Sequence, residues 1–286
     1  MISPTPRGMR WMQNTLWLPG QVLDSRPGAR NERPVLIFGH RGASDAQAEN
    51  TLAAFEAAVA QGADGVELDA QVCGSGEVVV CHDDTLERLA GVPWTVRNTP
   101  WARLRSLDVG SRLGFAQARI PLLAEVFEVL PPHVQVNVEL KCDSADDGGL
   151  ASAVAAWVTD HRLEGRVVVS SFNPLCLWRT AAAAPSLRRG FLLDPDRSFW
   201  WNGWVLNGLL STYSVHPFRR VCTPNRVRAW ADRGLQTIVW TVNDAHEAVR
   251  LRDMGVAACI TDRPGALRAE LAAINGSPRS SAPPRC

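Results

Sequence analysis

Glu67 and Asp69, in "GVELDA", are two carboxylates inside one apolar run, and Glu139, in "VQVNVEL", is a third inside another. Residues two apart on a strand point to the same side, so Glu67 and Asp69 face one space together. Three carboxylates converging on one cavity repel unless a cation sits among them. An all-oxygen set suits a hard divalent ion, Mg²⁺ or Ca²⁺, rather than zinc. Each carboxylate taken alone is equally well explained by a basic partner, Lys141 serving Glu139 in particular. His40 and His82 end two further apolar runs, and a pair of imidazoles beside a cation makes a plausible general acid and base. Arg41, next to His40, offers a fixed guanidinium with bidentate geometry for a phosphate. Cation, Arg, Lys and two His together describe phosphodiester chemistry. His133, His161 and His246 fall in loops or helices and read as surface residues.

These side chains need a scaffold that gathers strand ends. Apolar runs of strand length occur at 35–40, 65–70, 134–140, 166–171, 188–193, 212–217, 236–242 and 257–262. Helical patterns separate most of them, at 51–61, 150–161, 174–184, 223–233 and 244–254, several closed by a glycine such as Gly62, Gly234 or Gly255. That rhythm predicts a parallel sheet with helical crossovers, and eight strands in this length predict a (β/α)₈ barrel. The polar residues keep to C-terminal strand ends: His40-Arg41, Glu67 and Asp69, His82-Asp83, Glu139 and Lys141, Asn243. In a barrel those ends form one rim. The extra run "EVVVCHD" follows the second strand after only "QVCGSG", too short for a crossover helix. It predicts a hairpin turning at Gly74-Ser75-Gly76 and returning His82 to the rim near Asp69.

The chain has 286 residues, 46% hydrophobic and 21% charged, which is the composition of a globular protein with a sizeable core. A formal net charge of +1 gives no global attraction to nucleic acid or acidic membranes. Seven scattered Cys without a CxxC pair favour free thiols in a reducing compartment. The N-terminal residues lack the apolar core of a signal peptide, and no run approaches the roughly 18–20 apolar residues of a membrane span. The expectation is a cytoplasmic enzyme or binding protein. It divides into an N-terminal extension over 1–34, a barrel over 35–272 with an insertion at about 86–119, and a disordered tail over 273–286. The Trp-rich stretch "RSFWWNGWVLNGLL", with Phe199, Trp200, Trp201 and Trp204, reads as packing over the barrel or as a lid for an acyl chain.

"HRGASDAQAENTLAAFEAAVAQGADGVELDAQV", "VVVCHDDTLERLAG", "ARIPLLAEVFEVL", "VNVELK", "VVVSSFN", "VWTVND" and "ITDRPG" occur in that order. Together they closely resemble the glycerophosphodiester phosphodiesterases, from Val35 to Gly265. The resemblance implies a barrel related to phosphatidylinositol-specific phospholipases, a divalent cation and an insertion after the His-Asp motif. It implies that His40 and His82 are catalytic, that Arg41 contacts phosphate, and that Glu67, Asp69 and Glu139 hold the metal. Lys141 and Trp240 match residues lining the pocket, and Glu49, with Asn50 beside it, matches a position at the metal or supporting the site. The turn Cys73-Gly74-Ser75-Gly76 departs from the family's usual Thr-Lys-Asp-Gly, at a place expected to matter little. The implied activity is metal-dependent hydrolysis of glycerophosphodiesters to glycerol 3-phosphate and an alcohol. The alternatives are lysophospholipase D or sphingomyelinase D activity on a lipid phosphodiester, with peripheral lipid contact, or phosphodiester binding without turnover. A paired acid and base argues against the last.

Overall fold

The computed structural model describes residues 34–142, 144–196 and 212–276. Eight parallel strands close on themselves: β1 (Leu36–His40), β2 (Gly65–Val72), β4 (Gln135–Leu140), β5 (Val167–Ser171), β6 (Arg188–Leu193), β7 (Ser214–Pro217), β8 (Gln236–Val239) and β9 (Ala258–Thr261). The order around the barrel is β1-β9-β8-β7-β6-β5-β4-β2, and pairing of β1 with β2 completes the ring. The predicted (β/α)₈ barrel is the fold observed. Branched residues dominate these strands because both faces are covered. β5, "VVVSS", is buried along its whole length. Inward-facing Phe38, Val168, Ile238, Ala258 and Ile260 fill the barrel, while larger apolar clusters lie between strands and helices.

Four of the helices start where a side chain satisfies an open backbone N–H. The helices α1 (Leu52–Ala60), α2 (Glu87–Ala90), α3 (Trp101–Leu104), α4 (Leu123–Val129), α5 (Leu150–Asp160) and α6 (Pro174–Ala183) precede β6 in the chain. α7 (Pro224–Ala231), α8 (Ala245–Asp253) and α9 (Pro264–Gly276) follow β7, β8 and β9. Thr51, Asn173, Thr223 and Asp244 each accept a backbone N–H of the helix they open, and Pro follows Asn173 and Thr223 at the first helical position.

The extra run forms β3 (Val78–Val80), antiparallel to β2 with Ala70 opposite Val80. Gly76 turns the hairpin at φ +99°, and the Cys81 N–H donates to the Asp69 carbonyl at 2.9 Å. That bond delivers His82 beside the carboxylates. The segment after it holds two four-residue helices, α2 and α3, over a small core of its own built on Leu86, Leu89, Val96, Leu104, Val109 and Ile120.

Some boundaries differ from expectation. α9 runs to Gly276, so residues 273–276 of the predicted tail are helical. Leu267 and Leu271 anchor the helix in the core, and Arg252 donates to Asn275 at 2.8 Å. Pairing past Val239 shrinks to one bridge between Phe218 and Trp240, so β8 ends before the predicted 242. The Trp-rich stretch with Phe199, Trp200, Trp201 and Trp204 lies outside the described residues, as do 1–33 and 277–286. Among the described residues no helix is long and apolar enough to cross a membrane.

One barrel histidine escaped the sequence reading. His216, on β7, is fully buried, its Nε2 2.8 Å from Ser214 Oγ. Its ring occupies space that Gly190 leaves open, since a Cβ there would lie 2.3 Å from Nε2. Burial pushes its pKa down to about 3, so the folded protein keeps the ring neutral. The unfolded chain binds a proton near pH 6.5, and stability contributed by neutral His216 is therefore lost as pH falls from about 6.5 toward 3. Between pH 7 and pH 5 this group alone accounts for about 2 kcal/mol of lost unfolding free energy. Urea unfolding at both pH values checks it: the pH 7 to pH 5 loss should shrink by that amount in His216→Leu, and an equal loss in both proteins contradicts it.

Candidate active site

The loop after β1 is wound tightly enough to fold back on itself. Arg41, Gly42 and Asn50 all have positive φ, and a Cβ on Gly42 would meet the Ala54 carbonyl carbon at 2.5 Å. The Asn50 N–H donates to the Arg41 carbonyl at 2.9 Å and closes the loop. Glu49 and Asn50 thereby return over Arg41. Asn50 Nδ2 donates to Asp69 Oδ2 at 2.8 Å, while its Oδ1 accepts the Asp69 N–H at 3.3 Å.

Strand register brings the acids together. Asp69 lies opposite Glu139, and Glu67 opposite Asn137. One oxygen from each of Glu67, Asp69 and Glu139 falls within 4.8 Å of the others. Lys141 Nζ stands 3.0 Å from Glu139 and 3.9 Å from Asp69, and Arg41 Nε 3.3 Å from Asp69. The basic partner foreseen for Glu139 is therefore present, alongside the acidic cluster. Two cations against three carboxylates leave the group acidic. Burial, then the neighbouring charges of Asp69 and Glu139, raise the pKa of Glu67 well above the usual carboxylate range, although its Oε2 accepts the Arg41 N–H at 3.0 Å. Burial also pushes Asp69 up, but the positive charges of Arg41 and Lys141 outweigh it and hold Asp69 low. A buried, oxygen-only cluster with an excess of acid is what a hard divalent cation fits. Glu49 is not part of it; it faces Arg41 Nη1 at 2.8 Å and Arg88.

Each rim histidine has a carboxylate behind it. His40 Nδ1 is 2.6 Å from Asp262 Oδ1, and His82 Nδ1 is 2.7 Å from Asp83 Oδ1. A carboxylate accepts, so each Nδ1 donates and each Nε2 is left for the cavity. Asp262 also accepts from Ser44 and from Asn243, whose own Oδ1 accepts the Asp262 N–H at 2.9 Å. Burial raises the pKa of Asp262, but the hydrogen bond and charge of His40 bring it below the usual range.

A cavity of about 470 Å³ opens on these groups. His40, Arg41, Glu67, His82, Glu139 and Lys141 line one half, from β1 through β4. Phe172, Leu192, Trp240 and Ile260 form an apolar wall on the other, joined by Asp194. Trp240 is fixed by its indole N–H, which donates to the His216 carbonyl at 2.7 Å, and by edge contacts with Phe172 and Phe218. All ten side chains singled out from the sequence thus lie in or directly behind one site. Asp262 and Arg88 were missed. Asp262 ends a strand like the others; Arg88 falls inside the "VVVCHDDTLERLAG" run, in a weakly patterned segment where no role attaches to it from periodicity.

The glycerophosphoryl diester phosphodiesterase family matches residues 40–266. The chain belongs to this family. It is 34% identical over 235 residues to a glycerophosphodiester phosphodiesterase of Caldanaerobacter subterraneus subsp. tengcongensis, covering 81% of this chain and 96% of that one. A solved phosphodiesterase of Oleispira antarctica, in complex with the product sn-glycerol-3-phosphate, superposes with a TM-score of 0.72 at 29% identity, covering 83% of this chain and 96% of that one. A lysophospholipase D of Rattus norvegicus is 27% identical over 270 residues, 81% of this chain and 84% of its own length. As a member of the family, the protein is a phosphoric diester hydrolase with glycerophosphodiester phosphodiesterase activity.

Proposed function

We propose that the protein hydrolyses glycerophosphodiesters to glycerol 3-phosphate and an alcohol, with a divalent cation, Mg²⁺ or Ca²⁺, held by Glu67, Asp69 and Glu139. The observation that carries this is the convergence of two carboxylate-backed histidines, His40 and His82, on one cavity that the acidic cluster also lines. The bound cation supplies positive charge against the phosphate oxygens. Arg41 and Lys141 add theirs on the same side, where a preorganised cation stabilises the more highly charged transition state.

One imidazole Nε2 takes the proton from the attacking oxygen as the new P–O bond forms. The other gives its proton to the alcohol oxygen as the old P–O bond breaks. Water attacks directly, or the glycerol 2-hydroxyl attacks first and water opens the cyclic phosphate; both routes draw on the same two histidines. Asp262 and Asp83 fix the ring orientations and stabilise each imidazolium. The apolar wall of Phe172, Leu192, Trp240 and Ile260 receives the organic part of the substrate. That wall is also the observation favouring a second reading, turnover of a lysophospholipid.

Release of glycerol 3-phosphate from glycerophosphocholine, glycerophosphoethanolamine and glycerophosphoglycerol, beside choline release from lysophosphatidylcholine, tests both. Higher kcat/KM on the water-soluble diesters supports the first reading. Preference for lysophosphatidylcholine supports the second, and turnover of none of them excludes both.

A further inference from the structure

Arg88 lies in α2, on the segment that follows His82-Asp83. Its neighbours Leu86 and Leu89 are buried in the small core of that segment, and the Leu86 N–H donates to the Trp94 carbonyl at 2.9 Å. Those contacts hold the turn from which the Arg88 side chain projects toward the rim. Its guanidinium makes three hydrogen bonds to two carboxylates. Nε donates to Asp83 Oδ2 at 2.6 Å, while Nη1 and Nη2 donate to Glu49 Oε2 and Oε1 at 2.9 and 2.7 Å.

Each of those carboxylates also holds a group of the site. Asp83 Oδ1 holds His82 Nδ1, and Glu49 Oε1 accepts from Arg41 Nη1. A continuous chain therefore runs His82, Asp83, Arg88, Glu49, Arg41, and spans the gap between the loop after β1 and the hairpin. Arg88 itself does not line the cavity.

We propose that Arg88 is a positioning residue, which locks the His82–Asp83 pair and the Glu49–Arg41 pair to each other so that a proton-transfer group and a phosphate-binding cation arrive in one fixed geometry. This rests on the roles assigned above to His82 and Arg41. The competing interpretation is an ordinary surface ion pair, because the Arg88 side chain is 43% exposed. Exposed pairs contribute little when they are single contacts; a planar fork saturating two carboxylates is a different case. The partners decide the matter further: neither Asp83 nor Glu49 has a purely structural position, since each touches a group of the site. Lys in this place has one point charge and cannot span both carboxylates in the same plane.

Arg88→Ala and Arg88→Lys, assayed on the best substrate of the panel above, test the proposal, with millimolar guanidinium chloride or the same concentration of NaCl added. Loss of a supporting partner of this kind typically costs about 10–100-fold, expected here mainly in kcat rather than KM. Free guanidinium should restore part of the Arg88→Ala loss and NaCl should not, while Arg88→Lys should remain impaired. Wild-type kcat in Arg88→Ala overturns the proposal, as does a loss that follows the melting temperature and is untouched by guanidinium. His82→Ala separates the two levels. If His82→Ala loses kcat while Arg88→Ala keeps the wild-type value, only the positioning role falls; if both keep wild-type kcat, the acid–base reading falls as well.

Discussion

His40→Ala and His82→Ala are each expected to lower kcat by about 10²–10⁴, the usual worth of a positioned general acid or base. The expectation follows from geometry. Both rings have Nδ1 committed to a carboxylate, so both present Nε2 to the cavity and neither can be replaced by rotation of the other. Their surroundings differ: Asp83 is tied to the Arg88 guanidinium, whereas Asp262 is held by the neutral Ser44 and Asn243. The double variant should therefore be little worse than the poorer single one, since the two groups act in one reaction and their losses do not add. Steady-state kinetics on a diester with a poor leaving group checks this. Metal affinity should stay near wild type in both, because neither ring belongs to the acidic cluster. A single variant with undiminished kcat removes that histidine from proton transfer.

Glu67→Gln and Glu139→Gln carry the second large effect. Gln keeps the shape of the side chain but removes the charge and half the acceptor capacity. With Arg41 and Lys141 still beside Asp69, the cluster then holds two cations against two carboxylates and its excess of acid is gone. The divalent ion needed for half-maximal activity should rise by more than the about 10–100-fold typical of losing a mere supporting partner. Glu67→Gln should also remove a carboxyl whose ionisation is opposed by burial and then by the charges of Asp69 and Glu139, so its melting temperature without metal should not fall. Titration of activity and of melting temperature against Mg²⁺ and Ca²⁺ reads both. Unchanged metal dependence in both variants contradicts the ligand assignment.

The parts of the site legible in the sequence were those governed by periodicity. Polar residues at the ends of apolar strands stand out because every other position there is branched and buried. That pattern alone puts His40, Glu67, Asp69 and Glu139 on one rim. The spacing of "QVCGSG" was enough to read the β2–β3 hairpin, and with it the return of His82. What stayed hidden depends on contacts between distant segments. Asp262 reaches His40 only because β9 pairs with β1, and no local pattern in "ACITD" says which side chain it will meet. Arg88 is one arginine among many in a stretch of four-residue helices, too short for periodicity to show. His216 looked like another residue of a strand, since its accommodation depends on the glycine at 190 of the neighbouring strand. The end of α9 is hidden by low-complexity composition, because the contacts of Leu271 with the core and of Asn275 with Arg252 are made to distant segments.

Removing and restoring the cation is the most direct test of hydrolysis at a site where an acidic cluster holds that ion beside two histidines. The protein is stripped with EDTA, dialysed free of it, and assayed for glycerol 3-phosphate release from glycerophosphoethanolamine with nothing added, then with Mg²⁺ or Ca²⁺. The stripped protein should show no turnover and should recover on adding at least one of the two ions, with no recovery in Glu67→Gln at the same concentration. Full activity of the stripped protein in excess EDTA would contradict cation-dependent hydrolysis.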